Sequence, residues 1–196
     1  DVFQHSNVQD NYIIVLRNPK SVADSLAVRN HFKPEKSYLL WLNHIVSAIY
    51  ELEGKSRIVL DYDRLIKDPI NQLNRISGFL DLPIITDQNN NTLETYIKDF
   101  LDNSLRHAHW YKEDIEIDPR INTFTRQVYK LLDMVSQDQL SLDNVDFLHQ
   151  VQDIYSSIGS LNSFFSYVDE VDATKENFVT KINEILIERD VAITAR

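Results

Sequence analysis

Tyr12 to Leu16 is an unbroken run of aromatic and aliphatic residues, the pattern of a parallel strand buried on both faces. Asn18-Pro19 ends it, because proline has no N–H for a ladder and steers the preceding residue out of the helical region. Ser21, with Asp24 three residues on, reads as the N-cap and capping box of a helix that would bury Val22, Leu26 and Phe32. Lys33-Pro34-Glu35 stops that helix. Lys36 to Glu53 then carries Leu39, Leu42, Ile45, Val46 and Ile49 at helical spacing, and Gly54 closes it. Arg57 to Tyr62 is a second short buried strand. Strand, helices and strand in this order predict an α/β fold with a parallel, right-handed crossover.

Asp68 reads as the N-cap and Pro69 as the first residue of a helix to Leu82. Pro83 to Asn91, with three consecutive asparagines, is a loop, and Thr92 to Leu105 is again helical through Leu93, Tyr96, Ile97, Phe100 and Leu101. From Asp118-Pro119 onward the pattern is helical throughout. Thr123 to Val135 is amphipathic, and Phe147, Val151, Ile154, Ile158, Leu161, Phe165 and Val168 alternate four- and three-residue steps as a heptad seam does. Gly159 interrupts that seam. A further helix spans about Thr174 to Arg189, with Asp169 to Asn177 as either a turn or continuous helix. The expected organisation is an α/β part over 1–117 and a helical extension over 118–196, folded back as a hairpin or self-associating as a coiled coil.

A chain of 196 residues with 43% hydrophobic and 26% charged content can bury a substantial core. Without cysteine, disulfides, thiolate metal sites and a cysteine nucleophile are excluded. No apolar stretch reaches the ~20 residues of a membrane span, and a cytoplasmic location is expected. The chain starts at Asp1 without methionine and enters a core strand almost at once, so it is expected to be cut from a longer protein whose targeting signals lie elsewhere. Of 20 basic and 30 acidic residues, 10 and 9 fall within 1–75, which leaves 10 basic against 21 acidic beyond it. The acidic remainder disfavours nucleic acid as a partner, while the neutral N-terminal part can hold an anion locally.

The chemistry concentrates where the first strand ends. Arg17 lies at that end and Ser25 one turn into the next helix, at the strand–helix junction where open α/β sheets gather anionic ligands. Arg-Asn-Pro followed by Ser, with Arg17 and Ser25 eight positions apart, resembles the 3′-phosphate-binding segment of sulfotransferases that use 3′-phosphoadenosine 5′-phosphosulfate (PAPS). Tyr62, Asp63, Leu65, Asp68 and Pro69, followed by Phe79-Leu80-Asp81-Leu82, resemble a second segment of the bacterial-type members of that family, and Leu105-Arg106 a third.

The resemblance covers roughly Tyr12 to Tyr111. It implies that Arg17 and Ser25 hold the 3′-phosphate, that Tyr62 lies by the adenine, and that Arg106 is a second cationic ligand. It also implies a P-loop-like parallel sheet, PAPS as donor and 3′-phosphoadenosine 5′-phosphate as product, and an acceptor hydroxyl or amine on a carbohydrate, lipid or protein. The glycine-rich loop for the 5′-phosphosulfate and the general base have no counterpart, since the only glycines are Gly54, Gly78 and Gly159. They are expected upstream of Asp1, which makes this a C-terminal part of such an enzyme, inactive alone. No metal is expected: His107 and His109 have a zinc-like spacing but no further ligand pattern, and read as ordinary surface or loop histidines. Two other readings compete: an interaction module using the acidic helices of 140–196 to self-associate as a homo-oligomer or to connect to an adjacent domain, and a P-loop kinase or related nucleotide-binding domain.

Overall fold

Strand β1 (Asn11–Leu16) and strand β2 (Ser56–Asp61) pair in parallel, with Ile14 opposite Val59 and Leu16 opposite Asp61. They belong to a computed structural model that describes residues 10–84 and 112–194. Two helices, α1 (Pro19–Asn30) and α2 (Pro34–Glu51), carry the chain from one strand to the other and pack on each other. After β2 come α3 (Tyr62–Lys67), α4 (Pro69–Phe79), α5 (Lys112–Ile117), α6 (Thr123–Ser136), α7 (Val145–Gly159) and α8 (Asn162–Thr194). Helix therefore dominates the described residues, around one small parallel sheet.

The expected helix starts shift to the prolines. Asn18, not Ser21, caps α1, its side chain accepting from the Lys20 N–H at 2.9 Å, and Pro19 fills the first turn, where a missing N–H costs nothing. Ser21 lies inside the helix and is buried. Pro34 likewise opens α2 rather than merely closing α1, which ends at His31 in a left-handed conformation (φ 57°) with its N–H on the Ala27 carbonyl. Asp68 does occupy the N-cap position of α4, but its carboxylate accepts from the Asn71 side chain at 2.6 Å instead of the backbone.

Burial on β1 alternates, which departs from the expectation of a strand covered on both faces. Ile14 and Leu16 are buried while Ile13 and Val15 remain 41% and 54% exposed. Val22, Leu26 and Phe32 are only half-buried, and the covered positions of α1 are Pro19, Lys20, Ser21 and Ala23. An uninterrupted apolar run records hydrophobicity but not which of its two faces is covered.

The boundary expected at 117/118 is not where the packing changes. Helix α6 lies against α2 and both strands, burying Val128, Leu132 and Val135 with Val46, Ile49 and Val59 in one core. Ion pairs stitch the two stretches together: Lys20–Asp118 at 3.0 Å, Arg64–Asp133 at 2.8 Å, Arg75–Asp138 at 2.6 Å and Arg57–Asp143 at 3.0 Å. Phe147, Val151 and Ile154 of the expected heptad seam are core residues, and Tyr155 stacks on Tyr50 of α2 with centroids 4.2 Å apart. One compact unit accordingly spans Asp1–Tyr155 and a second Ser156–Arg196. In the second, Asp169 to Asn177 is continuous helix within α8. The predicted helix Thr92 to Leu105 falls outside the described residues.

Candidate functional site

Parallel strands place their carboxyl ends side by side, so Arg17, just after β1, and Tyr62, just after β2, become neighbours although 45 positions separate them. The Arg17 guanidinium lies over the Tyr62 ring, 5.0 Å from its centroid. Such stacking holds the planar cation by its face and leaves its N–H edges directed outward for an anion. The Arg17 carbonyl accepts from Trp41 Nε1–H at 2.9 Å, which pins the turn after β1 to α2. Among the described residues the guanidinium makes no ion pair. Lys20, Arg57, Arg64, Arg75 and Arg120 all engage carboxylates.

The first turn of α1 is not an open anion cradle. Asn18, Pro19, Lys20 and Ser21 are buried, and the Asn18 side chain already takes the Lys20 N–H. The Lys20 ammonium is spent on Asp118, whose carboxylate also accepts from Tyr38 Oη at 3.3 Å and from the Arg120 side chain at 2.9 and 2.8 Å. The Arg120 hydrogen bonds and Lys20 hold the Asp118 carboxyl well below the usual range despite its burial. Burial and the Asp118 charge push the Tyr38 phenol up to about 12. This cluster fastens the start of α1 to the segment before α6 and occupies Lys20, whereas Arg17, half-buried, makes no ion pair among the described residues.

A groove of about 720 Å³ runs beside β1 and includes Arg17 in its wall. Ile13, Val15, Val22, Leu26 and Phe32 make it apolar, and Arg29 and His44 add polar groups. Ser25 is exposed on α1, and helical periodicity puts it on the flank of the Val22, Leu26 and Arg29 face that lines this groove. Arg29 was not singled out from the sequence; its position four residues after Ser25, on the same side of the helix, is the signal that identifies it.

Behind Tyr62, Asp61 is buried and caps α3 by accepting from the Arg64 N–H at 2.7 Å. Desolvation raises its pKa, with that backbone bond opposing the shift. Burial, followed by the Asp61 charge, raises the Tyr129 phenol in turn. Tyr62 thus directly follows a buried capping carboxylate in the chain and carries a cation over its ring.

No family profile, curated protein or solved structure matches this chain. Arg17 and Tyr62 are brought together, and Ser25 lies on the helix that borders the same groove. Arg106, His107 and His109 fall outside the described residues. Among the described residues, no cluster of three or more His, Asp or Glu could hold a metal ion, and no helix is long and apolar enough to cross a membrane.

Proposed function

We propose that this chain carries the 3′-phosphoadenosine half of the donor site of a PAPS-dependent sulfotransferase, on strands that form part of a larger P-loop-like sheet. The observation that supports this best is the Arg17 guanidinium, unpaired among the described residues and stacked on Tyr62 at the carboxyl ends of two parallel strands. A bidentate contact from Arg17 and a hydroxyl from Ser25 suit a phosphate dianion. The Tyr62 ring suits a purine, which needs a flat surface more than polar partners, and Arg17 links that ring to the apolar groove. Arg106 is the second cation in this reading.

In the complete reaction an acceptor hydroxyl or amine attacks the sulfur of PAPS in line. The bond from sulfur to the bridging oxygen breaks, the acceptor proton passes to a base, and 3′-phosphoadenosine 5′-phosphate departs. Cations stabilise the charge on that leaving group. The residues named here bind and orient the nucleotide. The sequence contains no glycine-rich loop for the 5′-phosphosulfate, so the chain by itself is expected to bind nucleotide without turnover.

The test is a titration followed by NMR, comparing 3′-phosphoadenosine 5′-phosphate with adenosine 5′-monophosphate, which lacks only the 3′-phosphate. The first is expected to bind at least tenfold more tightly and to shift the Arg17 Nε–Hε and Tyr62 ring resonances. Equal binding of the two nucleotides removes the proposal.

A further inference from the structure

Helix α8 continues for 33 residues, about 50 Å at 1.5 Å per residue, and displays an apolar stripe from Val168 to Leu186, a little over half of that length. Val168, Val171, Phe178, Ile182 and Ile185 are 37%, 48%, 63%, 55% and 63% exposed. With Lys175 and Arg189 they recur at alternating steps of three and four residues, which is the seam of a coiled coil with a cation at two of its positions. Val179 and Leu186 widen the stripe on one flank. A solvated helix with such a face has a partner surface, because a contiguous apolar stripe in water costs free energy that burial removes.

The charges decide what that partner is. The helix carries seven acidic residues against Lys175, Lys181 and Arg189, so an anionic lipid surface repels it, and it is not apolar enough to span a membrane. A parallel, in-register pair of α8 helices would place Lys175 against Lys175 and Arg189 against Arg189 in the seam, and like charges there oppose assembly. An antiparallel pair with nearly full overlap removes both conflicts. Centred between residues 176 and 177, it sets Val168 opposite Ile185, Val171 opposite Ile182 and Lys175 opposite Phe178, each contact occurring twice by two-fold symmetry. A lysine over the face of a phenylalanine is a favourable partner for a cation that must sit in an apolar seam. Tyr167 and Glu188 then lie across the flank from each other, where a phenol can donate to a carboxylate.

We propose that α8 pairs antiparallel with α8 of a second copy of this chain, forming a two-fold dimer in which Lys175 of each copy covers Phe178 of the other. A strip about 50 Å long and about 10 Å wide on each helix approaches a total of ~1,000 Å², where specific interfaces begin, so the dimer forms in the micromolar range.

Two measurements test this on the full chain. Sedimentation equilibrium from about 1 to 200 µM is expected to show a monomer–dimer equilibrium that Phe178→Glu abolishes, with helicity by circular dichroism unchanged. Because the chain has no cysteine, orientation can be read by cross-linking. The double variant Val168→Cys with Ile185→Cys is expected to form an interchain disulfide under mild oxidation, and Val168→Cys alone is not. A monomer at every concentration, or cross-linking of the single variant as readily as the double one, overturns the proposal.

Discussion

The Arg17 guanidinium lies over the ring of Tyr62, 5.0 Å from its centroid, and this contact joins the carboxyl ends of both strands. In the proposed site the ring offers its face and not its hydroxyl. Tyr62→Phe is therefore expected to keep the affinity for 3′-phosphoadenosine 5′-phosphate within about twofold. Tyr62→Ala, which removes the platform, is expected to lower it by about 3- to 10-fold, as loss of a cation–π contact and of a stacking surface would. Titration of the two variants checks the order.

Trp41 holds the other side of the same turn through its indole N–H on the Arg17 carbonyl. Trp41→Phe keeps most of the packing and loses that bond, so urea unfolding is expected to show a loss of about 1 kcal/mol. Nucleotide affinity should fall with it, because the backbone that presents the guanidinium is no longer fixed.

Asp118 has its carboxyl pKa lowered by Arg120 and Lys20. A carboxyl depressed in the folded state stabilises above its unfolded value of about 3.9, and that contribution is lost as pH falls toward the folded pKa. Thermal melts are expected to drop steeply below about pH 4 in the natural chain. Asp118→Ala leaves the buried Lys20 ammonium without this carboxylate and is expected to cost about 3–5 kcal/mol at pH 7. Its melting temperature should depend less on pH over the acid range.

Asp61 has the opposite sign. Its pKa is raised by desolvation, so the stability linked to its protonated form is present below about pH 3.9 and is lost as pH rises through the folded pKa. Asparagine caps a helix as well as aspartate does and carries no charge to desolvate. Asp61→Asn is expected to match or exceed the natural chain in stability at pH 7, with the difference vanishing near pH 4. Asp61→Ala, which removes the cap of α3, should cost about 1 kcal/mol.

The two strands, the parallel crossover and most helix spans were legible in the sequence, because apolar runs and three- and four-residue spacings report them directly. Helix starts were read less well: Ser21 is a good capping residue, but Pro19 fits the first turn and Asn18 reaches the free N–H, so the helix begins earlier. The partition of the chain was hidden for a different reason. Lys20, Arg57, Arg64 and Arg75 each look like surface cations, and only the folded chain shows them paired with Asp118, Asp143, Asp133 and Asp138. Arg17 and Ser25 were visible as a spacing, whereas the position of Tyr62 beneath Arg17 depends on strand register, which a single sequence does not encode locally. Arg29 is not legible in the sequence, because its link to the groove is helical geometry rather than a motif.

The central claim rests on Arg17 and is tested most directly by titrating 3′-phosphoadenosine 5′-phosphate into the natural chain and into Arg17→Ala, with binding followed on the Tyr62 ring resonances. A charge-assisted contact to phosphate contributes about 1.5–3 kcal/mol, so the variant is expected to bind at least tenfold more weakly while its affinity for adenosine 5′-monophosphate changes little. Equal affinity of the two proteins for 3′-phosphoadenosine 5′-phosphate would contradict the account.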